Sequence, residues 1–191
     1  MTTVSAPFGL APAAHASGGT IRQDYQNNGI ASGYASNIFT QTPIKRTTDG
    51  TIVVCGTGVE TAIGVFLGCE FSSAGRFFVS PYWPASQTYT DDGTMQAYFT
   101  SDPNILYDAQ CDGSVAASKI GEGINLANTT QGSTYTGQST QALSATTTGS
   151  TAGLATVWSI PPGPYFGGSV NAPGDTYTIV RVKLTYQVPI A

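Results

Sequence analysis

The hydrophobic and polar positions of this chain resolve into short stretches of period two, and no stretch holds a convincing helical stripe. The longest self-consistent stretch runs from Gln96 to Ala116. Ala97, Phe99 and Ser101 alternate there with Tyr98 and Thr100, and Asp102-Pro103-Asn104 predicts a reversal, because proline presets φ and the flanking side chains bond nearby backbone. Beyond it, Ile105, Tyr107, Ala109 and Cys111 share one face, with Leu106, Asp108, Gln110 and Asp112 on the other. The stretch reads as a β-hairpin around which the core is built.

The other elements follow the same logic. Asp49-Gly50 predicts a hairpin turn before the strand at Thr51–Cys55. Ala62–Phe71 is rich in β-branched and aromatic residues, and its interspersed glycines mark a bulge or a close backbone approach. Ser72-Ser73-Ala74-Gly75 turns the chain into a strand at Arg76–Ser80, and a turn is also expected at Asp91-Asp92-Gly93. Leu154, Thr156, Trp158 and Ile160 are expected on one face of a strand that ends at Pro161-Pro162. From Tyr177 to Val188, Val180, Val182, Leu184, Tyr186 and Val188 point one way and Arg181, Lys183, Thr185 and Gln187 the other. The Thr/Ser/Gly-rich tract from Asn128 to Ser150 reads as ordered β-turn structure anchored by Tyr135 and Leu143. Roughly eight to ten short strands with frequent turns predict an all-β fold, an antiparallel sandwich or distorted barrel.

Residues 1 to about 20 carry Pro7, Gly9, Pro12, Gly18 and Gly19, so an extended N-terminal arm is expected. The division is an arm and loop-rich lead-in over 1–45, then a single β domain over 46–191.

Composition narrows the function. Charged residues are 9% of the 191, the net charge is −4, and no basic cluster exceeds Lys45-Arg46. Affinity for nucleic acid draws on neutralised phosphates, so direct nucleic-acid binding is not expected. No run approaches the ~18 apolar residues of a membrane span, and the first residues lack a signal-peptide pattern. Cys55, Cys69 and Cys111 form no CxxC pair and read as small buried side chains of a chain folding in a reducing cytoplasm.

Catalytic patterns are weak. His15 is the only imidazole, and nothing in the sequence singles out a serine or cysteine partner. Asp108 and Asp112 lie on the outer face of a predicted strand. Gly56-Thr57-Gly58 lacks both a third glycine and a following helix. No enzyme activity, cofactor or metal is expected. Ser80-Pro81-Tyr82-Trp83-Pro84 holds two large aromatics in a stiff loop, where they either cap the core, the commoner outcome, or meet a sugar or a partner protein.

Several segments carry a resemblance. Gly9-Leu10-Ala11-Pro12 with His15, Gly18-Gly19 and Arg22, Ile63-Gly64-Val65-Phe66 with Gly68, and Ser80-Pro81-Tyr82-Trp83-Pro84 occur in order. Ala97-Tyr98 with Asp102-Pro103-Asn104-Ile105 and Gln110-Cys111-Asp112-Gly113 follow. Together these resemble the capsid decoration (cement) proteins of tailed bacteriophages, over most of the chain up to about residue 145. Ala13-Ala14 stands where that pattern has a Val-Arg pair, and Cys111 where it has alanine.

The resemblance implies a virion protein on the capsid exterior that binds the major capsid protein and holds the coat lattice against packaged DNA. It would be made in the host bacterial cytoplasm and would self-associate, as a trimer first and a dimer second. The contacts it suggests are Phe8, Leu10, His15, Arg22, Tyr25 and Tyr34, to which the loop aromatics Tyr82 and Trp83 are added. The rival reading is a carbohydrate- or receptor-binding β domain of a head fibre or tail, with Tyr82, Trp83 and Trp158 as stacking platforms.

Overall fold

A computed structural model describes residues 4–90, 94–129, 132–165 and 169–186. The strands are β1 (Ala11–His15), β2 (Asp24–Asn27), β3 (Pro43–Arg46), β4 (Ile52–Val54), β5 (Gly64–Ser73), β6 (Arg76–Ser80) and β7 (Gln96–Phe99). They continue with β8 (Ile105–Gln110), β9 (Gly123–Ile124), β10 (Ala155–Ser159), β11 (Pro164–Tyr165), β12 (Ser169–Val170) and β13 (Ile179–Leu184). A single 3-10 turn, Ala117–Lys119, is the only helical element among the described residues. None of their helices is long and apolar enough to cross a membrane.

Two antiparallel sheets pack together as a β-sandwich. The five-stranded sheet runs β1-β8-β13-β10-β9, and the six-stranded sheet runs β2-β7-β5-β3-β4 with β6 also paired to β5. One hydrophobic cluster lies between them, and a second packs on the other face of the six-stranded sheet; β5 contributes to both. Val65 joins Ile105, Tyr107, Val180 and Val182 in one cluster. Its neighbour Phe66 joins Phe71, Trp83, Ala97 and Phe99 in the other, as the alternation of a strand requires.

The Gln96–Ala116 stretch does not fold as a hairpin. β7 pairs with β2 and β5, whereas β8 pairs with β1 and β13, so the Asp102-Pro103-Asn104 turn carries the chain from one sheet to the other. The core is nonetheless built around β8, all six of whose residues are buried. Ile105, Tyr107 and Ala109 face the inter-sheet cluster. On the opposite face Arg181 closes over Asp108, and the Gln110 amide bridges the backbone of residues 4 and 6.

That bridge also corrects the expected arm. Residues 11–15 form β1 along the edge of β8, and residues 24–27 form β2 beside β7. β3 spans residue 45, so no boundary separates 1–45 from 46–191. The segment read as an arm belongs to the sheets because its backbone groups find ladder partners there.

Other expectations hold in detail. β3 and β4 pair across a turn at Asp49-Gly50, and Arg181 and Lys183 point outward from β13 while Val180, Val182 and Leu184 are buried. The Asp91-Asp92-Gly93 turn and the strand positions Gln187 and Val188 lie outside the described residues. Leu154, Thr156, Trp158 and Ile160 do not share a face as expected: Leu154, Ala155 and Val157 are buried in the inter-sheet cluster, Ile160 packs against it and Trp158 is exposed. The small residues fit against β13, and a register shift after Val157 changes the phase before Ile160. The Asn128–Ser150 tract is tied by isolated bridges, including Leu143 with Cys111 and Leu126. Leu143 anchors it as expected, but Tyr135 is 97% exposed and anchors nothing.

Candidate docking face

The long strand β5 positions the face of greatest functional interest. A register shift between Phe66 and Gly68 marks a bulge opposite β7. Gly64 permits the closest approach, because a Cβ there would overlap the carbonyl oxygen of Thr100. Directly opposed residues of an antiparallel pair share a face. Val65 and Thr100 therefore look toward the five-stranded sheet, where the Thr100 hydroxyl meets the Tyr107 hydroxyl at 2.7 Å. Further along the same face come Tyr98 opposite Gly68, Tyr25 opposite Tyr98, Val79 opposite Glu70 and Phe77 opposite Ser72. The five-stranded sheet does not cover this end. Tyr25 is left 60% exposed.

The outer margin is β6. Ala74-Gly75, with φ of 50° and 73°, forms the tight two-residue turn that joins it to β5. Phe77, Phe78 and Val79 are 62%, 43% and 74% exposed. Three consecutive large apolar residues break the alternation of a half-buried strand, and an unpaired strand edge of this kind is ordinarily blunted by charge or proline. Phe78 turns to the inner face and stacks on Phe71 at 5.3 Å between centroids. Arg76 supplies the strand's only charge.

Between Tyr98 and Pro81, where Gly68 has no side chain, lies a shallow groove of about 250 Å³, also lined by Gln23, Leu67 and Val79. The Tyr98 hydroxyl donates to the Gln96 side-chain oxygen at 3.2 Å. Its hydrogen bond with Glu70, and after that partial desolvation, raises its pKa above the ordinary tyrosine value. The groove thus combines apolar side chains with the Gln23 amide and the Tyr98 and Ser80 hydroxyls, and the Glu70 carboxylate lies beside Tyr98.

The residues singled out from sequence are dispersed. Phe8, Leu10 and Trp83 are buried, and Trp83 packs edge-on against Phe71 and Tyr89 rather than offering a platform. Tyr34 is half-buried against the same cluster, and Tyr82 is half-buried and stacks on Phe39 at 5.5 Å. Arg22 and Tyr25 are exposed, and Tyr25 alone belongs to the face just described. Phe77, Phe78 and Val79 were missed as surface residues. Their signal, three bulky apolar residues in a row after a two-residue turn, is visible in the chain.

His15 acts as a clamp. Its Nδ1 accepts the Ser17 hydroxyl at 2.9 Å and the amide N–H groups of Ser17 and Gly19, so Nε2 carries the proton it donates to Asp102 at 2.9 Å. The order serine, imidazole, carboxylate resembles a nucleophilic relay. Yet the acceptor nitrogen is already engaged by two backbone amides of its own turn, and the relay ties that turn to the crossover between sheets. Asp102 is held below the ordinary carboxylate pKa, first by the Asn104 amide and then by His15.

The three thiols are buried and free, and burial pushes Cys69 and Cys111 up to about 12 and Cys55 higher still. They remain protonated at neutral pH and are weak nucleophiles. Asp108 lies against the Arg181 guanidinium in a two-point ion pair at 2.7 and 2.9 Å. Among the described residues no group of three metal-binding side chains comes together. No family model, curated protein or solved structure matches this chain.

Proposed function

We propose that this protein is an adhesive coat component that binds the outer surface of a tailed-phage capsid and stabilises the lattice of major capsid protein. The observation that carries the reading is the set of large side chains exposed at separate points of a sheet-rich body. Tyr25 and Val79 flank the groove, Phe77 extends its margin, and Tyr135 stands on a distant loop. Scattered single apolar residues are ordinary, but a contiguous apolar margin on an unpaired edge points to an interaction site. Adhesion of this kind needs area and repetition, since a lattice multiplies modest contacts. The order of the sequence segments that resemble those of decoration proteins favours a capsid as the repeated partner.

Cosedimentation of purified protein with capsids stripped of it tests the proposal. Saturable binding that frees the capsids from breakage at low salt is expected, with loss when Tyr25 and Phe77 are both changed to serine. Capsids that neither bind the chain nor gain robustness from it would refute the reading.

A second reading has one observation in its favour. Trp158 is half exposed, with the Lys183 ammonium 6.0 Å from its ring centre, an arrangement able to receive a sugar or receptor group. Buried Trp83 cannot share that role without unfolding its loop. Glycan-array binding abolished by Trp158→Ala would favour this alternative.

A further inference from the structure

We propose that β6 is a strand-addition edge and that its occupant is β6 of a second copy, running antiparallel about a two-fold axis at Phe78. The inference stands apart from capsid binding, because a monomer could coat a shell and a dimer could form without one. It starts from the hydrogen-bond phase of β6. Among the described residues this strand pairs only with β5, in the register Ser73–Arg76, Phe71–Phe78, Cys69–Ser80. In a hairpin closed by a two-residue turn these are the mutually bonded pairs, since bonded and non-bonded pairs alternate. The N–H and C=O groups of Phe77 and Val79 therefore point away from β5, where no strand among the described residues pairs with them.

Symmetry and chemistry then select one register. With Phe78 opposite Phe78 of the second copy, Phe77 faces the other Val79 and Val79 the other Phe77, so both free residues on each chain find mutual bonds. Placing Phe77 opposite itself leaves only that one mutual pair. Placing Val79 opposite itself sets Phe77 against Pro81, which has no N–H to give. Charge agrees with the first choice. It sets Arg76 beside Ser80 of the second copy, whereas a slip toward the turn would bring Arg76 against Arg76. On the inner face the two Phe78 rings would meet, extending the stack already formed with Phe71.

The area determines the strength. The exposed parts of three side chains amount to roughly 350 Å² per copy, well below the ~800 Å² per partner of a standard stable interface. The dimer is accordingly weak in free solution and reinforced where a repeated surface holds copies close together. An isologous contact through one edge closes at two copies, which favours a dimer over a trimer.

Sedimentation velocity from about 1 μM to about 1 mM, the range in which a contact of this size would titrate, tests the proposal. The parent chain should shift from monomer to dimer, and Val79→Pro should weaken association at least tenfold with its thermal midpoint nearly unchanged, because that N–H serves no bond to β5. Phe77→Lys should do the same and stands in should the proline variant fold poorly. Phe78→Cys should cross-link into a disulfide dimer far faster than Phe77→Cys, since only position 78 meets itself. A parent chain monomeric throughout, undiminished association of both Val79→Pro and Phe77→Lys, or equal cross-linking at 77 and 78 would overturn it. So would variants that lose capsid binding while the parent never self-associates, which would give the edge to a coat-protein strand.

Discussion

On the outward face of the five-stranded sheet, Asp108 and Arg181 close each other's charge, Gln110 grips the backbone of residues 4 and 6, and Lys183 lies over Trp158. On the bare end of the six-stranded sheet, Phe77 and Val79 present apolar side chains and an edge that pairs with no other strand among the described residues. The first face spends its polar groups on holding its own strands and first residues in place. The second leaves its apolar groups to be satisfied from outside. A substitution on the first face should therefore cost stability, and one on the second should cost association.

The sharpest way to break this contrast lies at the point that positions both faces. Gly64→Ala would drive a methyl group into Thr100 and separate β5 from the crossover, with an expected loss of about 3 kcal/mol or more in urea unfolding. Next comes Asp108→Ala, which removes the two-point carboxylate partner of a partly buried guanidinium and should cost about 2–3 kcal/mol by the same measurement. Gln110→Ala removes both bonds to residues 4 and 6. It should cost about 1 kcal/mol and speed hydrogen exchange at the Ala6 amide without touching β6.

Acid provides a gentler probe. The folded pKa of Asp102 lies below the ordinary value, so the stability it contributes is fully present above about pH 4 and is lost as pH falls through its lowered folded pKa. Unfolding followed between pH 5 and pH 2 should show that loss, and Asp102→Asn should flatten it. The smallest effect on stability belongs to the docking face itself. Tyr25→Ser and Phe77→Ser should each change unfolding free energy by no more than about 0.5 kcal/mol while weakening adhesion. If Phe77→Ser instead destabilised the chain as much as Asp108→Ala, the distinction between the two faces would collapse.

The sequence disclosed local grammar well and partnership poorly. β13, the turn at Asp49-Gly50 and the turn at Ala74-Gly75 were legible because each is determined by a few adjacent residues. The reversal at Asp102-Pro103-Asn104 was legible too, but the same residues serve a hairpin and a crossover between sheets. Only the distant strands β1, β2, β5 and β13 decide between them. For the same reason Phe8 and Leu10 looked like an arm awaiting a neighbour, when their neighbour was the chain itself. Trp158 was grouped with Leu154 and Ile160 on one face by alternation, yet Ala155 and Val157 fit against β13 and Trp158 turns outward. The edge at β6 was written openly as Phe77-Phe78-Val79, and its exposure became evident only once β6 was seen to pair with β5 on one side and with no other strand among the described residues.

The position of β13 between β8 and β10 has a consequence for how the protein is made. All the strands of the six-stranded sheet lie within residues 24–99, so they can assemble while the ribosome is still adding the remainder. The other sheet must wait for residues 179–184, and until they emerge β8 can hold β1 on one side only. During that interval the aromatic margin of β6 is already displayed on a half-finished molecule, and crowded translation would be the moment at which premature pairing is most dangerous.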